Sequence, residues 1–159
     1  MKERYASDPD AAVVTLSASG ELDEGIACSV DTGRAIAAVA GLHPASGGDG
    51  SLLCSGDMLL EALVACAGVT LRAVSTSLGI PVPSGRVRAE GDLDFRGTLG
   101  VDREAPVGFR EIRLAFELET DADREQLDSL LALTERYCVV LQTLAGTPRL
   151  SSTIAASAS

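Results

Sequence analysis

The chain has 159 residues, enough for one domain with its own core, and 46% of them are apolar, so no long stretch reads as disordered. Its formal net charge is −10, with only 13 Lys and Arg and no basic run, which argues against nucleic acid as a partner. Aromatic residues are 3% of the chain and Trp is absent, so the core has to be built from Ala, Val and Leu.

Residues 11–19, AAVVTLSAS, predict a first strand, with 19–25 as the turn after it. Two more apolar strands, 26–31 and 34–40, flank Asp31-Thr32-Gly33 and complete an N-terminal meander. The segment 43–51, HPASGGDGS, is a Gly-rich loop without the Lys and spacing of a phosphate-binding loop. A long helix follows over 57–79. Leu59, Leu63, Ala67, Thr70, Leu71, Val74 and Leu78 recur at helical spacing, Ser55 offers a cap, Asp57 suits the first turn, and Gly79 and Pro81 end it. This helix is apolar almost all round between Leu59 and Val69, which predicts burial on every side.

Beyond it, 86–96 alternates as a strand, with Gly91 breaking the phase as at a bulge. Residues 97–108 read as a hairpin loop. FREIRLAFELE (109–119) alternates cleanly, as a half-buried antiparallel strand does. Thr120-Asp121-Ala122-Asp123 resembles a helix start, a helix covers 122–136, a shorter one begins near Cys138, and Arg149–Ile154 reads as a closing strand. Strands, a central helix, two strands and then helices make the class α+β, in a single domain spanning 1–159.

The opening MKERYASDPD has no apolar signal core. The longest apolar run, Met58 to Leu71, is broken by Glu61 and is shorter than the roughly 20 residues of a membrane span. The expectation is a soluble cytoplasmic protein with no membrane or nucleic-acid partner, in a compartment that keeps thiols reduced.

Four cysteines, Cys28, Cys54, Cys66 and Cys138, carry the chemical signal. None lies close to another in sequence and the only histidine is His43, so a zinc site is not indicated. Widely spaced cysteines are either small core residues or redox-active thiols. Cys66 sits mid-helix, sharing a face with Leu59, Leu63 and Thr70, where a buried cysteine is ordinarily a small hydrophobe. Cys138 lies where one helix ends and another begins, and backbone N–H groups at a helix start favour a thiolate.

The segment GGDGSLLCSGDMLLEALVACAGVTLRAVSTSLGI resembles the central-helix signature of the OsmC/Ohr superfamily: a Gly-rich loop, a turn, an acidic residue, then a small-residue helix containing Ala-Cys. ERYCVVLQTL resembles the same family's Cys-Pro-Val segment at the start of its last helix, with Val139 in place of the Pro. The order of elements from about residue 11 to 155 agrees with both. The resemblance implies an OsmC-like fold, with antiparallel sheets wrapped around a buried central helix in an intertwined homodimer. It also implies a thiol peroxidase. Cys66 would attack an organic hydroperoxide, giving an alcohol and a Cys66 sulfenic acid, and Cys138 would resolve that acid as a disulfide. An external dithiol, in this family often a lipoyl group, would restore both thiols, with no bound cofactor or metal.

The family also places an Arg, held by an acidic residue, beside the reactive thiol. Here the nearest acidic match is Asp57, with Glu61 as an alternative. Arg34 is the candidate cation, His43 is a possible substitute, and Arg72 lies on a different helix face from Cys66. Cys28 reads as core and Cys54 as a loop thiol able to compete for resolution. The alternative function is a catalytically weak relative that binds a small hydrophobic ligand in the dimer cleft.

Overall fold

The computed structural model describes residues 15, 18–22, 27–31 and 38–156. By packing, the chain divides into two compact units, Met1–Ser55 and Gly56–Ser159, and each is treated by itself.

The first unit holds a sheet in the order β1 (Ser19–Leu22), β2 (Ala27–Asp31), β3 (Ala38–Gly41) and β4 (Leu53–Cys54). β1 to β3 pair antiparallel and β4 joins β3 in parallel. β1 occupies positions where the sequence suggests a turn. The Gly residue that prompts a turn, Gly20, is paired with Val30 instead. The strand expected over 11–18, the turn at 32–33, the stretch 34–37 and Arg34 lie largely or wholly outside the described residues. The Gly-rich loop contains a 3-10 turn, Pro44–Ser46, capped by His43, whose Nδ1 accepts a hydrogen bond from the Ala45 N–H at 3.0 Å.

The second unit is organised by helix α1 (Ser55–Leu78) and by a two-stranded antiparallel sheet of β5 (Ser84–Leu93) and β6 (Phe109–Glu119). α1 begins at Ser55 itself, so Ser55 is a helical residue and not the cap outside it. Gly79 ends the helix in the left-handed conformation (φ 67°), which a side chain would disfavour. The connector to β5 is fastened twice: an Arg72 Nη1–H donates to the Val82 carbonyl, and the Thr120 hydroxyl donates to the Pro81 carbonyl at 2.6 Å.

The alternation of β5 and β6 sorts charge from apolar surface. Val87, Ala89, Leu93, Ile112, Leu114, Phe116 and Leu118 are half-buried, while Arg88, Glu90, Asp92, Glu111 and Arg113 are exposed on the other face. There Arg113 meets Asp92 at 2.5 Å across the strands. The bulge lies not at Gly91 but after Asp92. Asp92 faces Glu111 and Leu93 faces Phe109, so Arg110 is the extra residue and sits on β6. Gly91 serves a different purpose: a Cβ there would lie 2.5 Å from the Phe109 ring. The phase signal in the sequence was a close ring approach, not an inserted residue.

A short helix, α2 (Phe95–Thr98), takes the last two residues of the expected strand and the first two of the expected hairpin loop. α3 (Arg124–Tyr137) starts with a capping box, in which Asp123 Oδ1 accepts from the Gln126 N–H and Gln126 Oε1 accepts from the Asp123 N–H. α4 (Val139–Ala145) follows directly. The expected closing strand over 149–154 is absent. Those residues are irregular and exposed, with Leu150 at 87% and Ile154 at 98% exposure, and no strand of the chain pairs with them among the described residues.

Two clusters form the core of this unit. Leu71, Val74, Ile80, Val82 and Leu130 make one. Leu63, Ala67 and Cys138 make the other, with Cys66, Val87, Ala89, Ile112, Leu114, Phe116, Val140, Leu141 and Leu144 packed against it. α1 is not buried on every side. Leu63, Ala67, Leu71 and Val74 face inward, whereas Ala62, Ala65, Val69 and Ala73 are exposed, Val69 at 72%. By length and composition α1 is also long and apolar enough to cross a membrane, contrary to the reading of the run broken at Glu61. The helix continues to Leu78 with Arg72 as its only charge after Glu61. Its packing on the apolar side of β5 and β6 is that of a core helix.

Candidate active site

The second cluster brings Cys66 and Cys138 together, although 72 residues of chain separate them. Cys66 arrives on the flank of α1, next to the buried Leu63–Ala67 face, and keeps partial exposure. Cys138 is held by the α3–α4 junction, where it closes one helix and opens the next. Its N–H donates to the Thr134 carbonyl and its carbonyl accepts from the Gln142 N–H, each at 2.9 Å. Thr134 is itself buried and donates its hydroxyl to the Leu130 carbonyl at 2.7 Å. Gln142 Nε2–H donates to the Glu135 carbonyl, bracing the corner from outside. Cys138 has no exposed surface at all.

The first amides of a helix have no intrahelical acceptor. Here they are spent on the two sulfurs. Burial pushes the Cys66 thiol up, but the Val140 N–H, the Cys138 thiol, the Val139 N–H and the Thr70 hydroxyl all donate toward its sulfur and hold it below the ordinary thiol value. Burial likewise pushes Cys138 up. The Leu141 and Val140 N–H groups oppose this, but the hydrogen bond given to Cys66 and the negative charge there carry Cys138 above its ordinary value. Of the two sulfurs, Cys66 is held below and Cys138 above its ordinary value, and Cys66 is the less buried.

Two features of this arrangement are not evident from sequence. Thr70 lies one helical turn after Cys66, donates its hydroxyl to the Cys66 carbonyl at 2.8 Å, and makes the smallest of the contributions that lower the Cys66 thiol. Its spacing placed it on the right face but gave no reason to assign it a role. Val139 stands where the related motif carries Pro, and it contributes an N–H that Pro lacks.

Among the described residues of the second unit, no candidate activating group forms an ion pair or hydrogen bond with either thiol. Asp57 is exposed in the first turn of α1, about 13 Å along the helix axis from Cys66 at 1.5 Å per residue. Neither Asp57 nor Glu61 forms an ion pair among the described residues. Arg34 lies outside them. Arg72 is committed to the Val82 carbonyl. His43 caps its own turn in the first unit. Cys54 is half-buried in strand β4 and not in an exposed loop, and Cys28 is half-buried in β2, paired with Ala40. All four cysteines are free thiols. No cluster of three His, Cys, Asp or Glu side chains suited to a metal occurs among the described residues.

Two neighbouring thiols, one half-buried with its pKa held down and the other buried with its pKa pushed up, are the groups that two-electron sulfur chemistry uses. Residues 48–153 match the family described as OsmC-like protein. Among solved structures, the chain is similar to an OsmC-like protein from Mycoplasma pneumoniae, at 18% identity and a TM-score of 0.69, over 84% of this chain and 89% of that one. It is also similar to an organic hydroperoxide resistance protein from Legionella pneumophila, at 16% identity and a TM-score of 0.65, over 84% and 91%. A third is the organic hydroperoxide resistance protein OhrB of Bacillus subtilis, at 17% identity and a TM-score of 0.57, over 84% and 93%. At these identities the likeness is one of fold. No curated protein matches the sequence.

Proposed function

This chain belongs to the OsmC-like protein family, and from that premise we propose that it is a thiol peroxidase that reduces organic hydroperoxides to alcohols. The observation that carries the proposal is the gathering of Cys66 and Cys138 in one cluster, the first half-buried and the second buried, with the Cys66 thiol held below and the Cys138 thiol above the ordinary value. The Cys66 thiolate attacks the distal oxygen of R–O–O–H. The O–O bond breaks, the alkoxide leaves and takes a proton, and Cys66 becomes a sulfenic acid. Cys138 then attacks the Cys66 sulfur, water leaves, and a disulfide joins the two. Because the two cysteines already lie in one cluster, resolution needs little motion and competes well with further oxidation. An external dithiol returns both to thiols, which fits a reducing cytoplasmic compartment. Leu, Val and Phe side chains around the pair favour an alkyl hydroperoxide over hydrogen peroxide.

The same reading has Arg34, held by Asp57, supply positive charge beside the reacting oxygens. It also has a second copy of the chain cover the exposed apolar face of α1, with the thiols beside that seam. Two chains would thus complete the burial that one leaves unfinished. The test is steady-state consumption of cumene hydroperoxide with a dithiol reductant. Cys66→Ser is expected to lower the rate by about a thousandfold or more, the scale seen when a covalent nucleophile is removed. A Cys66→Ser protein that turns over at the wild-type rate would overturn this mechanism, and a wild-type protein that consumes no hydroperoxide would leave the ligand-binding alternative.

A further inference from the structure

We propose that the oxidised protein is reopened only at Cys66: the reductant's thiolate attacks the Cys66 sulfur, and Cys138 is the sulfur that leaves. This rests on the peroxidase reading above and adds the direction of the reducing half-reaction. The observation is the contrast in access. Cys138 has no exposed surface and is enclosed by Leu63, Ala67 and the α3–α4 corner, whereas Cys66 retains an opening. Exchange at sulfur requires the nucleophile to approach along the S–S axis, from the side away from the leaving sulfur. For Cys66 that line of approach starts at the sulfur a hydroperoxide must also reach. For Cys138 it runs through packed core.

Leaving-group chemistry by itself points the other way, since the sulfur of lower pKa leaves faster. Two features let access decide. An enclosed sulfur reacts only when the structure opens around it. Moreover, the charge on Cys66 that disfavours a Cys138 thiolate is gone once Cys66 is in a disulfide. Cys138 then departs onto the Leu141 and Val140 N–H groups with no neighbouring negative charge.

The electron count closes with a dithiol. The first thiolate forms a mixed disulfide with Cys66, and Cys138 leaves as a thiolate and takes up a proton. The second thiolate of the same reductant attacks the reductant's own sulfur in that mixed disulfide. The Cys66 thiolate leaves, and the reductant departs as a cyclic disulfide, oxidised by two electrons. Cys66, the better leaving group, is released in the step that regenerates the attacking thiolate.

The test forms the disulfide with diamide, so that it does not depend on peroxide. The oxidised protein is mixed with 2-mercaptoethanol, quenched in acid at short times, alkylated under denaturing conditions at mildly acidic pH, and mapped by mass spectrometry. The expected product carries the mercaptoethanol adduct on Cys66 and the alkyl group on Cys138, in at least about tenfold excess over the reverse, because the sealed sulfur must wait for an opening. Adducts on Cys138, or comparable amounts on both, overturn the proposal. If diamide makes no Cys66–Cys138 bond, this proposal and the peroxidase reading fall together. If the adduct sits on Cys66 but hydroperoxide is not consumed, only the peroxidase reading falls.

Discussion

The two long faces of α1 are both apolar, and they do different things. The inner face, Leu63, Ala67, Leu71 and Val74, is buried against the sheet, α3 and α4. The outer face, Ala62, Ala65, Val69 and Ala73, is exposed. Cys66 lies between them, bonded to the interior on one side and reachable on the other. Hydrophobicity alone does not separate these faces; the contrast lies in side-chain volume. The inner face carries branched residues that fill a core, and the outer face is mostly Ala, which adds little transfer energy but allows close approach.

This contrast can be broken most strongly from the inside. Leu63→Ala removes a fully buried side chain beside Cys138 and is expected to cost about 2–5 kcal/mol of unfolding free energy in urea denaturation. A cost near zero would mean that the redox pair does not rest on a packed floor. From the outside, Val69→Asp is expected to keep the chain folded while shifting light-scattering mass from two chains to one. A wild-type mass of one chain would remove the proposed second copy. Arg34→Ala is expected to slow hydroperoxide turnover by about ten- to a hundredfold, the worth of one charge-assisted hydrogen bond.

The finest distinction concerns those donors. Alkylation by iodoacetamide follows the thiolate fraction. A Cys66 thiol held below its ordinary value therefore places the rise in rate at lower pH than for an unperturbed thiol. Val139→Pro deletes one N–H at a first helical position that tolerates Pro, so the rise should move to higher pH. Val139→Ala, which keeps the N–H, should leave it unchanged. Thr70→Val should move it the same way as Val139→Pro and by less. If Val139→Pro and Val139→Ala titrate alike, the amide of residue 139 has no part in setting Cys66.

Much of the second unit is legible in the sequence. Helical spacing places α1 within a few residues, and period-two alternation gives β6 its full extent. Pairing of the two cysteines is legible only through the resemblance of their two contexts, since neither context alone separates a redox thiol from a core thiol. What the sequence conceals depends on contacts between distant residues. The bulge at Arg110 follows from the register against Leu93, and Gly91 answers to the Phe109 ring. The missing strand at 149–154 has the right composition and no partner. The resemblance to the family points to a cation beside Cys66. The described donors are backbone amides, the Cys138 thiol and one hydroxyl, and backbone amides leave no trace in residue identity.

The account's central claim is that Cys66 and Cys138 act as one redox pair, and a thiol count tests it most directly. Reduced protein treated with one equivalent of cumene hydroperoxide should lose two thiols per chain, with a peptide map joining Cys66 to Cys138 and leaving Cys28 and Cys54 free. Loss of two thiols in Cys66→Ser, or a map joining Cys54 to Cys66, would contradict it.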